Sequence, residues 1–396
     1  MGAKPTIDIT QRRARLGQRH RLAKSALGQT PVEVARSLVA IHGTDPATVF
    51  LSIAARTEEP MVTEIESALY EQKALIRLLG MRRTMFVVPQ NLAAVVHAAC
   101  TRAIAVGLRR TTLKLYADSG FAEDLDAWLH ALEDATALAL GRRGEATAQE
   151  LSVDVPDLKQ QVVFAVGKNY EGVQGVATRI LMQLAAEGRI MRGRPRGSWI
   201  STQYRWAPTD AWLPGGLSEM DTDVAQAELI RRWLHAFGPG TLADVKWWTG
   251  LTMGEVKRAL DRLDVVEVDL ECGTGFVLAD DLEPVPVAAM EPWVALLPAL
   301  DSTPMGFSER AWFLGTHGPK IFDRSGNIGP TVWSDGRIVG GWAQRKNGTI
   351  AYKLLEDVGT AAEHAIEARA QSLAAWLGSM RIIPRFRTPL ERELSA

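Results

Sequence analysis

Apolar and polar positions recur along the chain in one order: two helix-spaced segments with a turn between them, then two strand-like runs. In the first unit, Thr30-Pro31-Val32-Glu33 reads as a capping box opening a helix through Ile41. Asp45-Pro46 reads as an N-cap with proline at the first helical position, opening a helix through Arg56. A third helix is predicted from Thr63, with Glu66 completing another capping box. Leu75–Leu79 and Thr84–Val88 follow as strands joined by Gly80–Arg83.

The second unit begins near Ala146. Thr147–Leu151 precedes a helix predicted over Val173–Glu187, with Val176, Ile180, Leu181 and Leu184 on one face. Gly188 ends it. Strands Arg189–Met191 and Trp199–Tyr204 then flank a basic loop, Arg192–Gly197. In the third unit Thr241 caps a helix ending at Thr249-Gly250, and Thr252 opens another through Leu263. Strands Val265–Leu270 and Gly275–Leu278 form its hairpin, with Cys272–Thr274 at the tip.

Beyond about Pro284 the pattern turns to β. Asp335-Gly336 and Asn347-Gly348, dipeptides that favour two-residue hairpin turns, join the runs Thr331–Trp333, Ile338–Trp342 and Thr349–Leu355. A helix over Thr360–Leu377 closes the region. The predicted fold is α+β: three tandem winged-helix domains (helix-turn-helix plus β-hairpin) over 1–120, 121–215 and 216–284, followed by a small β-barrel-like C-terminal domain with a terminal helix over 285–396. The units share no evident sequence similarity, so the repeat is one of structure.

With 396 residues, two to four domains are expected. A content of 46% hydrophobic and 23% charged residues is that of a globular chain. No run approaches the roughly 18 uninterrupted apolar residues of a membrane span. Met1 to Leu22 is polar and basic, without the apolar core of a secretory signal. Cys100 and Cys272 stand apart and suggest neither a disulfide framework nor a metal knuckle. A cytoplasmic protein without metal or cofactor is expected.

The net charge of -1 hides segregation. Arg12, Arg13, Arg15, Arg19, Arg21 and Lys24 follow one another without a carboxylate, as do Arg189, Arg192, Arg194, Arg196 and Arg205. Either run reads as a solvated face or, in a neutral protein with helix-turn-helix units, as part of a polyanion-binding face. Arg192–Arg196 has the composition of a wing tip that contacts phosphates or enters a minor groove.

Familiar catalytic motifs are absent: no HExxH, CxxC, phosphate-binding lysine loop or GxSxG occurs. His20, His97, His130, His235, His317 and His364 are scattered. His42-Gly43-Thr44-Asp45 is different, because it places potentially reactive groups in a turn between two helices. A neutral His42 can accept a proton from water that the Thr44 hydroxyl orients. Equally, His42 can serve a helix C-terminus, Gly43 a left-handed turn and Asp45 the next N-cap. Local physics leaves both readings open.

Several stretches together resemble the AlkZ/YcaQ-like DNA glycosylases. They are Gln11–Leu16, Val39–Pro46, Met81–Pro89, Ala236–Thr241 with Asp244 and Trp248–Leu251, Leu296–Asp301 with Arg310, and Pro330–Val332 with Asp335–Trp342. The resemblance implies a bacterial, nucleoid-associated, monofunctional glycosylase acting on double-stranded DNA that carries N7-alkylated or bulky purine adducts. It also implies a possible place in resistance to a DNA-alkylating natural product, with no cofactor and no obligate protein partner. His42 and Thr44 stand where the family pattern has Gln-x-Gln or Gln-x-Asp. The candidate catalytic residues are therefore His42, Thr44 and Asp45. The candidate DNA-binding residues are Arg12, Arg13, Arg82, Arg83, Arg192, Arg194, Arg196 and Arg205. The alternatives are a non-catalytic winged-helix DNA-binding protein and an interaction scaffold.

Overall fold

The computed structural model describes residues 4–164, 171–287 and 291–396. Strands β1 (Ile41–His42), β2 (Leu75–Gly80) and β3 (Thr84–Pro89) form an antiparallel sheet in the order β1-β3-β2. The two long strands are those expected; β1 is not. The helix expected through Ile41 runs only over Pro31–Ser37, and the chain reverses at Val39, whose φ is 61°. Ile41 and His42 then pair with Val87 and Phe86. Leu38, Val39 and Ile41 are buried, so a helix-like apolar spacing is satisfied by a short strand on the hairpin edge. The Glu33 carboxylate accepts from Gln29 N, one residue before the cap, while Thr30 accepts from Glu33 N.

The helix expected from Thr63 starts at Val62 without a side-chain cap and widens into a π-turn over Ser67–Glu71. In the second unit an unforeseen ribbon pairs β4 (Gln161–Phe164) with β5 (Gly172–Gly175), and the following helix spans Val176–Ala186. Strands β6 (Ile190–Pro195) and β7 (Tyr204–Pro208) make the next hairpin. Most of the expected basic loop is therefore strand, and the connection lies over 196–203. The third unit follows expectation closely. Capping boxes at Thr241/Asp244 and Thr252/Glu255 open its two helices, Gly250 is left-handed between them, and β8 (Val265–Leu270) pairs with β9 (Gly273–Leu278).

The C-terminal strands β10 (Val294–Leu297), β11 (Thr331–Ser334), β12 (Arg337–Gln344) and β13 (Ile350–Leu354) form an antiparallel meander. The sheet is open, with β10 and β13 at its edges, so the barrel-like expectation is corrected. Closure would need β10 to meet β13; instead the Thr360–Leu377 helix packs against both. The Pro389–Ser395 helix lies on β12, where a Cβ at Gly341 would stand 2.7 Å from Leu390. Asp335-Gly336, with φ of 46° and 80°, makes the expected tight turn.

One apolar core runs through the first unit, the third unit and the C-terminal sheet, while Tyr116, Leu129, Leu140, Ile180, Leu184 and Trp206 build a separate one in the second. At the centre of the large core Arg56 and Asp301, both wholly buried, form an ion pair of 2.6 Å. Ser52, Thr303 and the carbonyl of His20 complete their hydrogen bonds. The helical run Gln90–Tyr116 is long and apolar enough to cross a membrane, yet over half of its most apolar stretch is buried inside the protein.

Candidate nucleic-acid interface and active site

His42 and Asp45 are held by their own surroundings, and Thr44 is left facing outward. The His42 backbone N–H donates to Ser302 Oγ at 3.1 Å, and its ring meets Phe86 edge-on, centroids 5.5 Å apart. Burial, assisted by the charge of Arg82, pushes the imidazole down to about 3, so it is neutral at ordinary pH. Its Nδ1 is buried without a hydrogen-bond partner among the described residues. Gly43 is not left-handed. Its N–H continues the ladder to Met85 O, and a Cβ there would press on Arg77 and Met85, so glycine serves close approach. Asp45 caps the Pro46–Ala54 helix through Ala47 N, and its second oxygen accepts from Arg385 N at 3.1 Å. Both carboxylate oxygens are thus taken by backbone, which makes Asp45 a clip for the 385 region.

Thr44 lines two cavities. One, of about 420 Å³, is also lined by Gln149, Arg192, Arg196, Gln203, Tyr204 and Arg385; among the described residues no carboxylate lines it. His42 lines neither cavity. The other, of about 150 Å³, lies between the first hairpin and the second unit. Arg77, buried in the middle of β2, donates to Gly43 O at 2.7 Å and sits 4.9 Å from the Tyr204 ring. Arg192 lies over Tyr204 and Trp206. Burial, with repulsion from Arg77 and Arg385, lowers it to about 10, still cationic at neutral pH. The cavity is therefore a concentration of positive charge with no carboxylate among the described residues of its lining.

The remaining arginines divide by partner. Arg12 is buried, ion-paired with Glu271 and stacked on Trp312; Arg13 donates to the Trp312 carbonyl. Arg15 and Arg19 bind carbonyls and the carboxylate of the 281–283 turn. Arg12, Arg15 and Arg19 thus fasten the Ile9–Arg19 helix internally, Arg13 is held on the Trp312 carbonyl, and neither Arg12 nor Arg13 lines the cavities beside Thr44. Arg194 pairs with Glu66 and Glu71, and Arg205 with Glu145 and Glu150. Arg192 and Arg196, with Arg83 at the first hairpin turn, are left facing the cavities. Arg82 stacks on Trp247 at 3.7 Å, as does Arg310 at 4.6 Å; burial first, then their mutual repulsion for Arg82, brings both to about 10.

Sequence reasoning missed Arg77, Tyr204, Gln149, Gln203 and Arg385. Arg77 stands alone among apolar residues in β2, and a lone cation inside a strand of a buried hairpin was the available signal. Nothing local marks Arg385, which arrives from the far end of the chain.

The profile of the family described as DNA glycosylase AlkZ-like matches residues 35–376. An interstrand DNA cross-link repair glycosylase of Streptomyces sahachiroi is 27% identical over 170 residues, a stretch that covers 41% of this chain and 45% of that protein. The structure of the Streptomyces sahachiroi DNA glycosylase AlkZ superposes with a TM-score of 0.73 at 20% identity, covering 95% of this chain and 98% of that one. The structural likeness establishes a shared fold, and the profile spans nearly the whole chain with the His42–Asp45 segment inside it. The chain belongs to the AlkZ-like DNA glycosylase family.

Proposed function

We propose that this protein is a monofunctional DNA glycosylase that hydrolyses the N-glycosidic bond of N7-alkylated or bulky-adduct purines in double-stranded DNA. The observation that carries the reading is Thr44, set in the wall of a cavity lined by Arg192, Arg196 and Arg385 and, among the described residues, by no carboxylate. Cross-linked DNA, named for the Streptomyces relative, falls within the same substrate class, as does a role in resistance to an alkylating natural product. The three helix-plus-hairpin units act as winged helices, divided near 120, 215 and 284, with the 196–203 connection as the wing that meets DNA.

N7-alkylation makes the purine cationic, so the leaving group needs no proton. Water oxygen bonds C1′, the C1′–N9 bond breaks, its electron pair neutralises the purine, and the water proton passes to solvent. The protein has to hold that water and the oxocarbenium-like sugar. Thr44 holds the water. His42, buried against Phe86, positions Thr44 through β1, and Asp45 acts as the helix cap and clip. The amides of Gln149 and Gln203, with Thr147, Thr202 and Tyr204, are the other neutral polar groups that line this cavity.

A duplex carrying N7-methylguanine, incubated with the protein and no added metal, should accumulate abasic sites. Release of this adduct and of bulkier N7-alkylguanines no faster than their spontaneous depurination overturns the proposal. A non-catalytic lesion-binding protein is the second reading, favoured by the position of His42 off the cavity wall.

A further inference from the structure

Thr44, Arg192 and Trp206 line both cavities, so these three side chains form a partition. On one side is the basic cavity. On the other is a recess of about 150 Å³ whose lining is mostly apolar: Leu79, Met85, Met182, Ala185, Met191 and Leu217 are among its residues. Arg77, Arg83, His97 and Thr101, with Thr44 and Arg192 of the partition, supply its polar part. Apolar cavities of about this size accept a benzene-sized guest. Methionine thioethers adjust to differently shaped guests and contact aromatic rings favourably. The recess is walled on one side by β2 and β3 and on the other by the Val176–Ala186 helix and β6, so it belongs to the junction of two units.

We propose that this recess is a binding site for the apolar, ring-sized appendage of an N7-purine adduct, beside the Thr44 partition where the sugar reacts. The proposal rests on the glycosylase reading and narrows its substrate class. Adducts with a compact aromatic or aliphatic appendage are preferred over those with a small polar one. Burying a phenyl group there corresponds to a preference of about tenfold to a hundredfold.

The test compares duplexes carrying N7-benzylguanine, N7-(2-hydroxyethyl)guanine and N7-methylguanine, each rate divided by that adduct's spontaneous release. The wild type should favour the benzyl adduct. Ala185→Phe, which adds a ring from the Val176–Ala186 helix into the recess, should abolish that preference, read as the ratio of benzyl to methyl release within the one variant. Leu217→Trp fills the same space from another element and guards against misfolding of the first variant. Equal normalised rates in the wild type, or a benzyl preference untouched by both folded variants, overturn the recess as a site. If the wild type releases none of the three, the glycosylase reading falls and the recess is judged by duplex affinity. Tighter binding of the benzyl adduct that Ala185→Phe removes supports it, and equal affinities overturn it.

Discussion

Arg77 donates a 2.7 Å hydrogen bond to the carbonyl of Gly43, so the residue between His42 and Thr44 is fastened to the middle of β2. The same guanidinium lies against Tyr204 of the second unit, and one side chain thereby sets the tetrad relative to the cavity wall. Lysine keeps the charge but not the planar fork. Arg77→Lys should lower N7-methylguanine release at least about tenfold in single-turnover assays, beyond any loss in unfolding temperature. Unchanged release would show that the clamp does not set the position of Thr44.

Thr44 and His42 should separate chemistry from stability. Thr44→Val removes the hydroxyl at nearly constant volume and should slow release about a hundredfold with duplex Kd unchanged. His42→Ala deletes a ring packed on Phe86 and should cost about 2–4 kcal/mol of stability, measured by denaturant unfolding, while release persists in the folded fraction. Complete loss of release in a folded His42→Ala would return the imidazole to the reaction itself.

His20 and His42 share an acid liability. His20 bonds Thr303 Oγ1 at 2.8 Å and the Ala236 carbonyl at 3.2 Å. Burial, then the charge of Arg56, pushes His20 down to about 3, as burial does for His42. Both rings stay neutral in the folded protein but bind protons in the unfolded chain below about pH 6.5. The unfolded state therefore holds more protons, and stability falls as pH drops from about 6.5 toward 3. Two such groups give a slope approaching about 2.7 kcal/mol per pH unit in that window. His20→Asn, compared with wild type in denaturant titrations at pH 7 and 5, should show a shallower dependence; an identical slope removes His20 from the effect.

The buried pair Arg56–Asp301 ties the Pro46–Ala54 helix to the turn after β10. Desolvation opposes ionisation of Asp301, yet Arg56 and the hydroxyl and amide donors outweigh it and hold the carboxylate below its ordinary range. Asp301→Asn leaves a buried guanidinium without its counter-charge. It should cost about 3–5 kcal/mol of unfolding free energy. A loss under about 1 kcal/mol would mean that the pair contributes little beyond its packing.

Elements with punctuation at both ends were legible in the sequence. The third unit is bracketed by Thr241, Gly250 and Thr252, and each does locally what its residue type favours. β12 and its two turns were equally plain from Asp335-Gly336 and Asn347-Gly348. β1 was not legible, because Ile41 and His42 gain their hydrogen bonds from a strand more than forty residues away. The open sheet was misread for a related reason: alternation marks strands but carries no signal for edge pairing. Of the site, His42–Asp45 was visible as a segment, while its division into a buried ring, an outward hydroxyl and a committed carboxylate depends on Phe86, Arg77 and Arg385. The first basic run was a poor guide to free charge because charge in sequence does not reveal a partner. Glu271, Asp281 and the carbonyls that absorb Arg12, Arg15 and Arg19 lie some 260 residues downstream.

That division of the arginines can be read in salt dependence. Arg196 and Arg385 are exposed, line the basic cavity and make no side-chain ion pair to a carboxylate among the described residues. Each phosphate contact contributes a slope of about 0.9 in log K against log salt on duplex DNA. The double variant Arg196→Ala/Arg385→Ala should bind undamaged duplex more weakly and lower that slope by nearly 2, without a change in unfolding temperature. Arg12→Ala should do the reverse. Glu271 would lose its partner and the Trp312 face its guanidinium, so stability drops while the salt slope holds. Fluorescence anisotropy of a labelled duplex across a salt series, beside thermal unfolding, reads both quantities. A reduced slope for Arg12→Ala would place the Ile9–Arg19 helix on the DNA, and an unchanged slope for the double variant would move the phosphate path away from Thr44.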